Sequence, residues 1–190
     1  AISDLSRRKK DYKSSFVKNL HLMLLSVKDM KEIKESLNLS FGKISIEEGD
    51  ARNLKLPDNS VDGIITSPPY SIALDYVQND LHALKDLGYS HREIREWFIG
   101  VRGNGKERME LYNEDMKKAY KEMYRVLKPN HYAVIVIGNA KYQGKEIDTV
   151  GFTIDYMEGL GFKLEENIDK IIFGLYNVMK DENVLIFKKT

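Results

Sequence analysis

The chain has 190 residues, 42% hydrophobic and 31% charged, which is the length of one domain with a real core and the composition of a globular protein. It contains no cysteine, which excludes disulfides and thiolate zinc sites, and its net charge of +1 argues against a strongly basic nucleic-acid scaffold but not against a local basic patch. No apolar run is long enough to span a bilayer and the start lacks a signal-peptide pattern, so no membrane partner is expected and the expected compartment is cytoplasmic.

Residues 3–38 read as a helical lead. Tyr12, Phe16, Leu20, Met23, Val27, Met30, Ile33 and Leu37 recur at steps of three and four, which gives one apolar stripe. Arg7, Arg8, Lys9, Lys10, Lys13 and Lys18 lie away from it, as a solvated face or as a basic arm for phosphates. His21 beside the stripe reads as structural. Residues 43–50 alternate weakly and end in Gly49-Asp50, which predicts a strand with Asp50 at its carboxyl end. Asn59-Ser60 then turns the chain into a second strand over Val61-Asp62-Gly63-Ile64-Ile65, a β-branched run bounded by polar residues.

The segment after that strand is unusual. In Thr66-Ser67-Pro68-Pro69-Tyr70, two prolines offer no N–H to a ladder, and Ser67 is pushed to extended geometry by the proline after it. The chain must leave the sheet there in a stiff turn. A nucleobase amino group is a poor nucleophile because its lone pair is delocalised into the ring. The Ser67 side-chain oxygen and the Pro68 carbonyl could accept both amino hydrogens and draw the nitrogen toward a tetrahedral, nucleophilic state. Prolines would fix those acceptors in advance, which is electrostatic preorganisation, and the Tyr70 ring could stack on a base swung out of its helix. The plainer alternative is an ordinary Pro-Pro turn with a surface tyrosine.

Further helices are predicted at 71–88 and 91–99, then a glycine-punctuated basic loop in which Arg102, Lys106 and Arg108 are candidate phosphate contacts, an inert solvated loop being an equal reading. Residues 109–127 form an amphipathic helix stopped by Lys128-Pro129-Asn130, and residues 132–138 the strongest buried strand, with Asn139 just past its end. A helix at 148–160 and two strands at 162–173 and 183–189 complete the chain. This alternation predicts a mainly parallel α/β sheet with helices on both faces, whose ligands bind at the carboxyl ends of strands. Asp50, Ser67 and Gly138-Asn139 all fall at such ends. His82, His91 and His131 have no metal-ligand spacing, so no metal site is expected.

Ser67-Pro68-Pro69-Tyr70 resembles the catalytic loop of S-adenosylmethionine-dependent amino-methyltransferases acting on DNA bases. A serine in first place is most like the cytosine-N4 group, while aspartate or asparagine is commoner in adenine-N6 and RNA guanine-N2 enzymes. The likeness extends to Ala73-Leu74-Asp75-Tyr76-Val77, Phe98-Ile99-Gly100-Val101-Arg102 and Arg125-Val126-Leu127-Lys128-Pro129-Asn130, and covers residues 41–190. It implies a partial class I methyltransferase-like (Rossmann-like) fold ending in an antiparallel hairpin, in a single domain over 1–190 with a lead at 1–38 and the catalytic part at 39–190. By resemblance, Ser67, Pro68, Pro69 and Tyr70 are catalytic, and Asp50, Ala51, Thr66 and Ser67 lie on the side of the S-adenosyl-L-methionine cofactor, Asp50 accepting from its adenine amino group. The implied activity is DNA methylation at cytosine N4, of the restriction-modification kind, with DNA ahead of RNA as partner. The absence of cysteine excludes the nucleophile that carbon-5 methylation of cytosine needs. An RNA (tRNA) guanine-N2 methyltransferase and a non-catalytic nucleic-acid- or partner-binding module are the alternatives.

One piece of the family pattern is not found. Phe41-Gly42-Lys43 precedes a strand rather than coming after one, and Gly103-Asn104-Gly105 has no strand before it, so neither matches the glycine-rich cofactor loop. The chain is therefore expected to correspond to the fold from its third usual strand onward, with a second chain or an N-terminal segment completing the cofactor site.

Overall fold

The computed structural model describes residues 11–40, 42–69, 74–142, 144–171 and 181–190. The chain forms two compact units, Ala1–Glu47 and Glu48–Thr190, where the sequence predicts one domain with a lead ending at residue 38.

In the first unit, Asp11 caps α1 (Tyr12–Ser36), its carboxylate accepting from the backbone N–H groups of Lys13 at 3.2 Å and Ser14 at 3.3 Å. The helix closes at Leu37, and Asn38 takes a left-handed φ of 50°, a conformation asparagine tolerates. The predicted stripe is present, yet no residue of α1 is buried. Arg7, Arg8, Lys9 and Lys10 lie outside the described residues.

The strand predicted at 43–50 does not form. A strand is held by the N–H and C=O groups of a neighbour, and among the described residues this stretch pairs only through a single bridge between Asp50 and Asn53. Ile44 and Ile46, 86% and 91% exposed, bury no apolar face that would substitute for it.

The second unit runs, in chain order, β1 (Val61–Thr66), α2 (Tyr76–Asn79), α3 (Leu81–Asp86), α4 (His91–Trp97), α5 (Gly105–Val126), β2 (Leu127–Ile137), β3 (Ala140–Tyr142), β4 (Lys145–Ile147), α6 (Thr149–Gly159), β5 (Phe162–Ile171) and β6 (Asp181–Lys189). The described part of the main sheet has the order β1-β2-β6-β5, with β1 parallel to β2 and β6 antiparallel to both its neighbours. The expected closing hairpin is thus β5–β6; residues 172 and 173 of its first predicted strand lie outside the described residues. The small β3–β4 hairpin was not predicted from the sequence.

Lys128-Pro129-Asn130 ends α5 as expected, and it does so by opening β2. Val61 pairs with Leu127 and Gly63 with Tyr132, so residues 128–131 bulge opposite Asp62 alone. Pro129 needs no ladder partner there, and Asn130 supplies the left-handed φ of 63°.

Alternation along the strands builds the core. Ala133, Ile135 and Ile137 of β2 and Leu185 and Phe187 of β6 share a cluster with Tyr112, Met116, Tyr120 and Met123 of α5 and with Val150 and Met157 of α6. Full burial of side chains of this kind stabilises by about 1.5–3 kcal/mol each. Inside it, Thr153 donates its hydroxyl to the Thr149 carbonyl at 2.8 Å, so the Tyr120 hydroxyl is the donor of their mutual 2.9 Å bond. Burial pushes the Tyr120 phenol up to about 12.

Lys189 closes the far end. It is 6% exposed, and its Nζ donates to Asn59 Oδ1 at 2.8 Å, the Tyr124 carbonyl at 2.6 Å and the Leu127 carbonyl at 2.7 Å. An ammonium has three donors, and each has an acceptor here. Two of those acceptors are carbonyls where α5 ends, which carry partial negative charge. Replacing Lys189 with methionine keeps the apolar stem and orphans the carbonyls. The expected cost is about 1–3 kcal/mol for each one left unpaired in the interior. Urea unfolding should show a lower midpoint at unchanged slope.

Candidate active site

Because β1 and β2 are parallel, with Thr66 beside Ile135, their carboxyl ends share one edge. Ser67 and Gly138-Asn139 therefore emerge together, as the sequence predicts. Ser67 is exposed, Pro68 buried and Pro69 half-buried. The Pro69 carbonyl accepts from the buried hydroxyl of Tyr112 on α5 at 2.9 Å. On the far side of residues 70–73, Arg108 of α5 donates Nη2 to the Leu74 carbonyl at 3.0 Å and Nε to the Gly100 carbonyl at 2.6 Å. Asp75 caps α2 through the Gln78 N–H at 3.0 Å and holds the Arg95 guanidinium with both oxygens. Tyr70 lies outside the described residues. Asn139 is spent on structure: its oxygen accepts from the Val150 N–H at 3.0 Å and its amide donates to Glu146 at 3.0 Å.

A cavity of about 890 Å³ lies at this edge. One wall is the irregular segment Glu48-Gly49-Asp50-Ala51-Arg52; Pro69 contributes to the lining, and Tyr89, Ile94, Trp97, Phe98 and Ile99 form the rest. The structure thus brings Asp50 and Ala51 together with Pro69. Thr66 and Ser67 sit at the strand end next to Pro69, outside the lining.

Asp50 is engaged by Arg52. Its Oδ1 accepts from the Arg52 backbone N–H and from Nε, both at 2.9 Å; its Oδ2 accepts from Nε at 3.1 Å and Nη2 at 2.9 Å. These bonds hold the Asp50 carboxyl below its ordinary value of 3.8 and raise the Arg52 guanidinium in return. Arg52 goes further: Nη2 reaches the Trp97 carbonyl at 3.0 Å, and Nη1 lies 3.1 Å from Asp115 Oδ2. One guanidinium therefore ties the acidic wall of the cavity, its aromatic wall and helix α5.

Asp115 is the residue that sequence reasoning missed. Its side chain is 1% exposed, and Oδ2 is shared between Arg52 and Arg102, the latter at 2.6 Å. Asp115 Oδ1 and Arg102 Nε are buried with no hydrogen-bond partner among the described residues. The available signal was an aspartate directly preceding Met116 in the apolar stripe of a helix, where a charge needs a partner. The same geometry corrects the loop assignment. Arg102 and Arg108, read as candidate phosphate contacts with a solvated loop as the equal reading, instead bond Asp115 and the Gly100 and Leu74 carbonyls, while Lys106 is exposed.

Below the cavity, Arg125 and Glu122 hold the next stretch of irregular backbone. Arg125 donates to the Leu54 carbonyl at 3.0 Å, the Leu56 carbonyl at 2.8 Å and Asp58 at 2.6 Å, while Glu122 accepts the Leu54 N–H at 2.7 Å. Among the described residues there is no cluster of side chains able to hold a metal ion, and no helix long and apolar enough to cross a membrane.

Comparison with known proteins matches residues 61–187 to the N6/N4 methyltransferase family, described as DNA methylase. No curated protein matches the chain. Among solved structures, the cytosine-N4-specific PvuII DNA methyltransferase aligns at 18% identity and a TM-score of 0.52, over 75% of this chain and 48% of that one. A candidate DNA modification methylase from Thermus thermophilus, complexed with S-adenosyl-L-methionine, aligns at 22% identity and 0.47, over 74% and 51%. A SAM-dependent methyltransferase from Methanosarcina mazei aligns at 14% and 0.49, over 80% and 69%. The chain spans about half the length of the first structures it matches.

The ion network has two measurable consequences. Asp115→Ala leaves Arg102 without its carboxylate and Arg52 with Asp50 and the Trp97 carbonyl, and should destabilise by about 1–3 kcal/mol, read as a fall in urea midpoint. The Asp50–Arg52 fork makes stability acid-sensitive in a defined direction. Because the folded pKa of Asp50 is depressed, its contribution is present above its ordinary value of 3.8 and is lost as pH falls through the folded one. Asp50→Asn should therefore show a smaller loss of midpoint than the wild type between about pH 5 and pH 3.

Proposed function

Since the chain belongs to the N6/N4 DNA methylase family, with the α/β fold of class I methyltransferases, we propose that it forms the catalytic part of an enzyme that methylates an exocyclic amino group of a DNA base, cytosine N4 ahead of adenine N6. The observation that carries this is the Ser67-Pro68-Pro69 turn: it leaves the carboxyl end of a parallel strand and meets, through Pro69, the cavity walled by Asp50 and Ala51.

S-Adenosyl-L-methionine is the cofactor on this reading, and when bound it supplies an electrophilic methyl group. The cavity fits its adenosine half. A volume of about 890 Å³ lies within the range of small-molecule pockets, roughly 300–1,000 Å³. Ile94, Phe98 and Ile99 offer apolar surface, and the Asp50 side chain is 36% exposed at the rim. The bifurcated 3.1 Å contact from Arg52 Nε to Asp50 Oδ2 is the longest of the four and the one an incoming amino group would replace. For the methionine half, no glycine-rich turn comes after a strand at this edge among the described residues. A further segment or a second chain is therefore part of the proposal.

The chemistry of the turn derives from its residues. Ser67 and the Pro68 carbonyl accept the two amino hydrogens of the base, which localises the nitrogen lone pair. Proline rings and the Tyr112 bond to Pro69 keep those acceptors from rotating, so little reorganisation is needed when charge develops. Tyr70 stacks on the extruded base.

Two measurements test this. Ser67→Ala should lower the single-turnover rate of methyl transfer to DNA by about 10²–10³ in the completed enzyme; an unchanged rate removes Ser67 from the mechanism. The chain's one tryptophan, Trp97, lines the cavity and is 70% exposed, so its fluorescence reports on occupancy. Titrating the 190-residue chain with S-adenosylmethionine should show binding weakened about a thousandfold relative to a completed site, as expected if about 4 kcal/mol of contacts is missing. Micromolar one-site binding would show the pocket to be complete.

A further inference from the structure

We propose that helix α5 clamps the carboxyl end of the turn, with Tyr112 as the positioning residue at Pro69 and Arg108 fastening the next described backbone at Leu74, a role that rests on reading Ser67-Pro68-Pro69 as the turn that accepts the amino hydrogens of the base.

Tyr112 is 1% exposed, and its ring belongs to the main apolar cluster. Packing accounts for the ring but not for the hydroxyl, which at such burial has to find an acceptor. It donates to the Pro69 carbonyl at 2.9 Å, across 43 residues of sequence. The turn has special need of such a bond. Neither Pro68 nor Pro69 carries an N–H, so a neighbouring strand cannot hold this stretch by a ladder.

Arg108 stands one helical turn before Tyr112, and residues at this spacing share a helix face. Its Nη2 donates to the Leu74 carbonyl at 3.0 Å while Nε reaches the Gly100 carbonyl at 2.6 Å. The two carbonyls flanking residues 70–73 are thus held by successive turns of one helix, itself anchored in the core through Met116, Tyr120 and Met123. Displacing a reacting group by about 1 Å can cost on the order of 10² in rate. At the turn, the Tyr112 bond to the Pro69 carbonyl is what opposes that displacement.

The substitutions can be kept small. Tyr112→Phe removes the hydroxyl and retains the ring. Arg108→Lys retains charge but cannot place two donors on two carbonyls. Amide hydrogen exchange of the peptide spanning residues 62–76 should accelerate about fivefold in either variant, the worth of one net hydrogen bond, while β2 peptides exchange as in the wild type. Wild-type exchange in Tyr112→Phe would overturn the clamp. Should Arg108→Lys also loosen α5 itself, Tyr112→Phe decides, since its ring packing is intact. In the completed enzyme, Tyr112→Phe should lower kcat about tenfold or more at unchanged KM for S-adenosylmethionine. A raised KM at unchanged kcat would overturn positioning. A completed wild-type enzyme without methyl transfer would sink the functional reading, and hydrogen exchange would still judge the clamp.

Discussion

The second unit depends on one polar stripe along α5. Arg108, Tyr112, Asp115, Glu122 and Arg125 recur at helical spacing, with the buried Ala119 between them, and each bonds backbone or charge from a segment that has little regular structure of its own. The reason is elementary. Buried or half-buried N–H and C=O groups must be paired, and residues 50–58 and the flanks of 70–73 are not paired by a ladder among the described strands. A helix whose backbone satisfies itself has side chains to spare for the purpose. The costliest of these is Asp115. A carboxylate at 1% exposure is tolerated only because two guanidinium groups face it.

That arrangement separates what stabilises the protein from what shapes the site. Apolar burial on the sheet side of α5 joins it to β2, β6 and α6. The stripe beside it transmits the rigidity of the core to three loops at once. Arg52 shows how: through Asp50, the Trp97 carbonyl and Asp115 it fixes both cavity walls against the same helix. Such an ion network is weak evidence for net stability, because desolvation offsets attraction. What it sets is geometry.

The legible part of the sequence was the part carried by hydrophobic runs and by helical period. Short β-branched and apolar runs gave away β1 and β2, the family resemblance implied the antiparallel closing hairpin, and the stripe of Met116, Tyr120 and Met123 gave away α5. The Pro-Pro turn was legible for a different reason, since proline forbids rather than prefers. Residues 43–50 misled because their alternation has the period of a strand, and period says nothing about whether a partner strand is there; Ile44 and Ile46 remain exposed. Arg102 and Arg108 misled because a cation in a glycine-rich loop looks the same whether it meets phosphate or a buried carbonyl. Their acceptors, Asp115 and the carbonyls of Gly100 and Leu74, are set by tertiary placement alone.

Two buried tyrosines on α5 make the same point on a small scale. Tyr112 and Tyr120 are eight residues apart on one helix, both are essentially inaccessible, and both rings lie in the apolar cluster. To a sequence they are equivalent. Tyr120 donates to Thr153 on α6, where a second helix supplies an acceptor and the bond joins two rigid elements. Tyr112 donates to Pro69, which offers no N–H to a ladder, and the bond joins a rigid element to a turn. Losing the first hydroxyl would remove a buried bond between two helices while Thr153 keeps its bond to the Thr149 carbonyl, which is a matter of stability. Losing the second would leave the core packed and remove the turn's bond to α5, which on the proposed reading is a matter of function. The difference lies in what each partner is otherwise tied to, and that is why a helix built largely of core residues can still govern a site at the edge of the sheet.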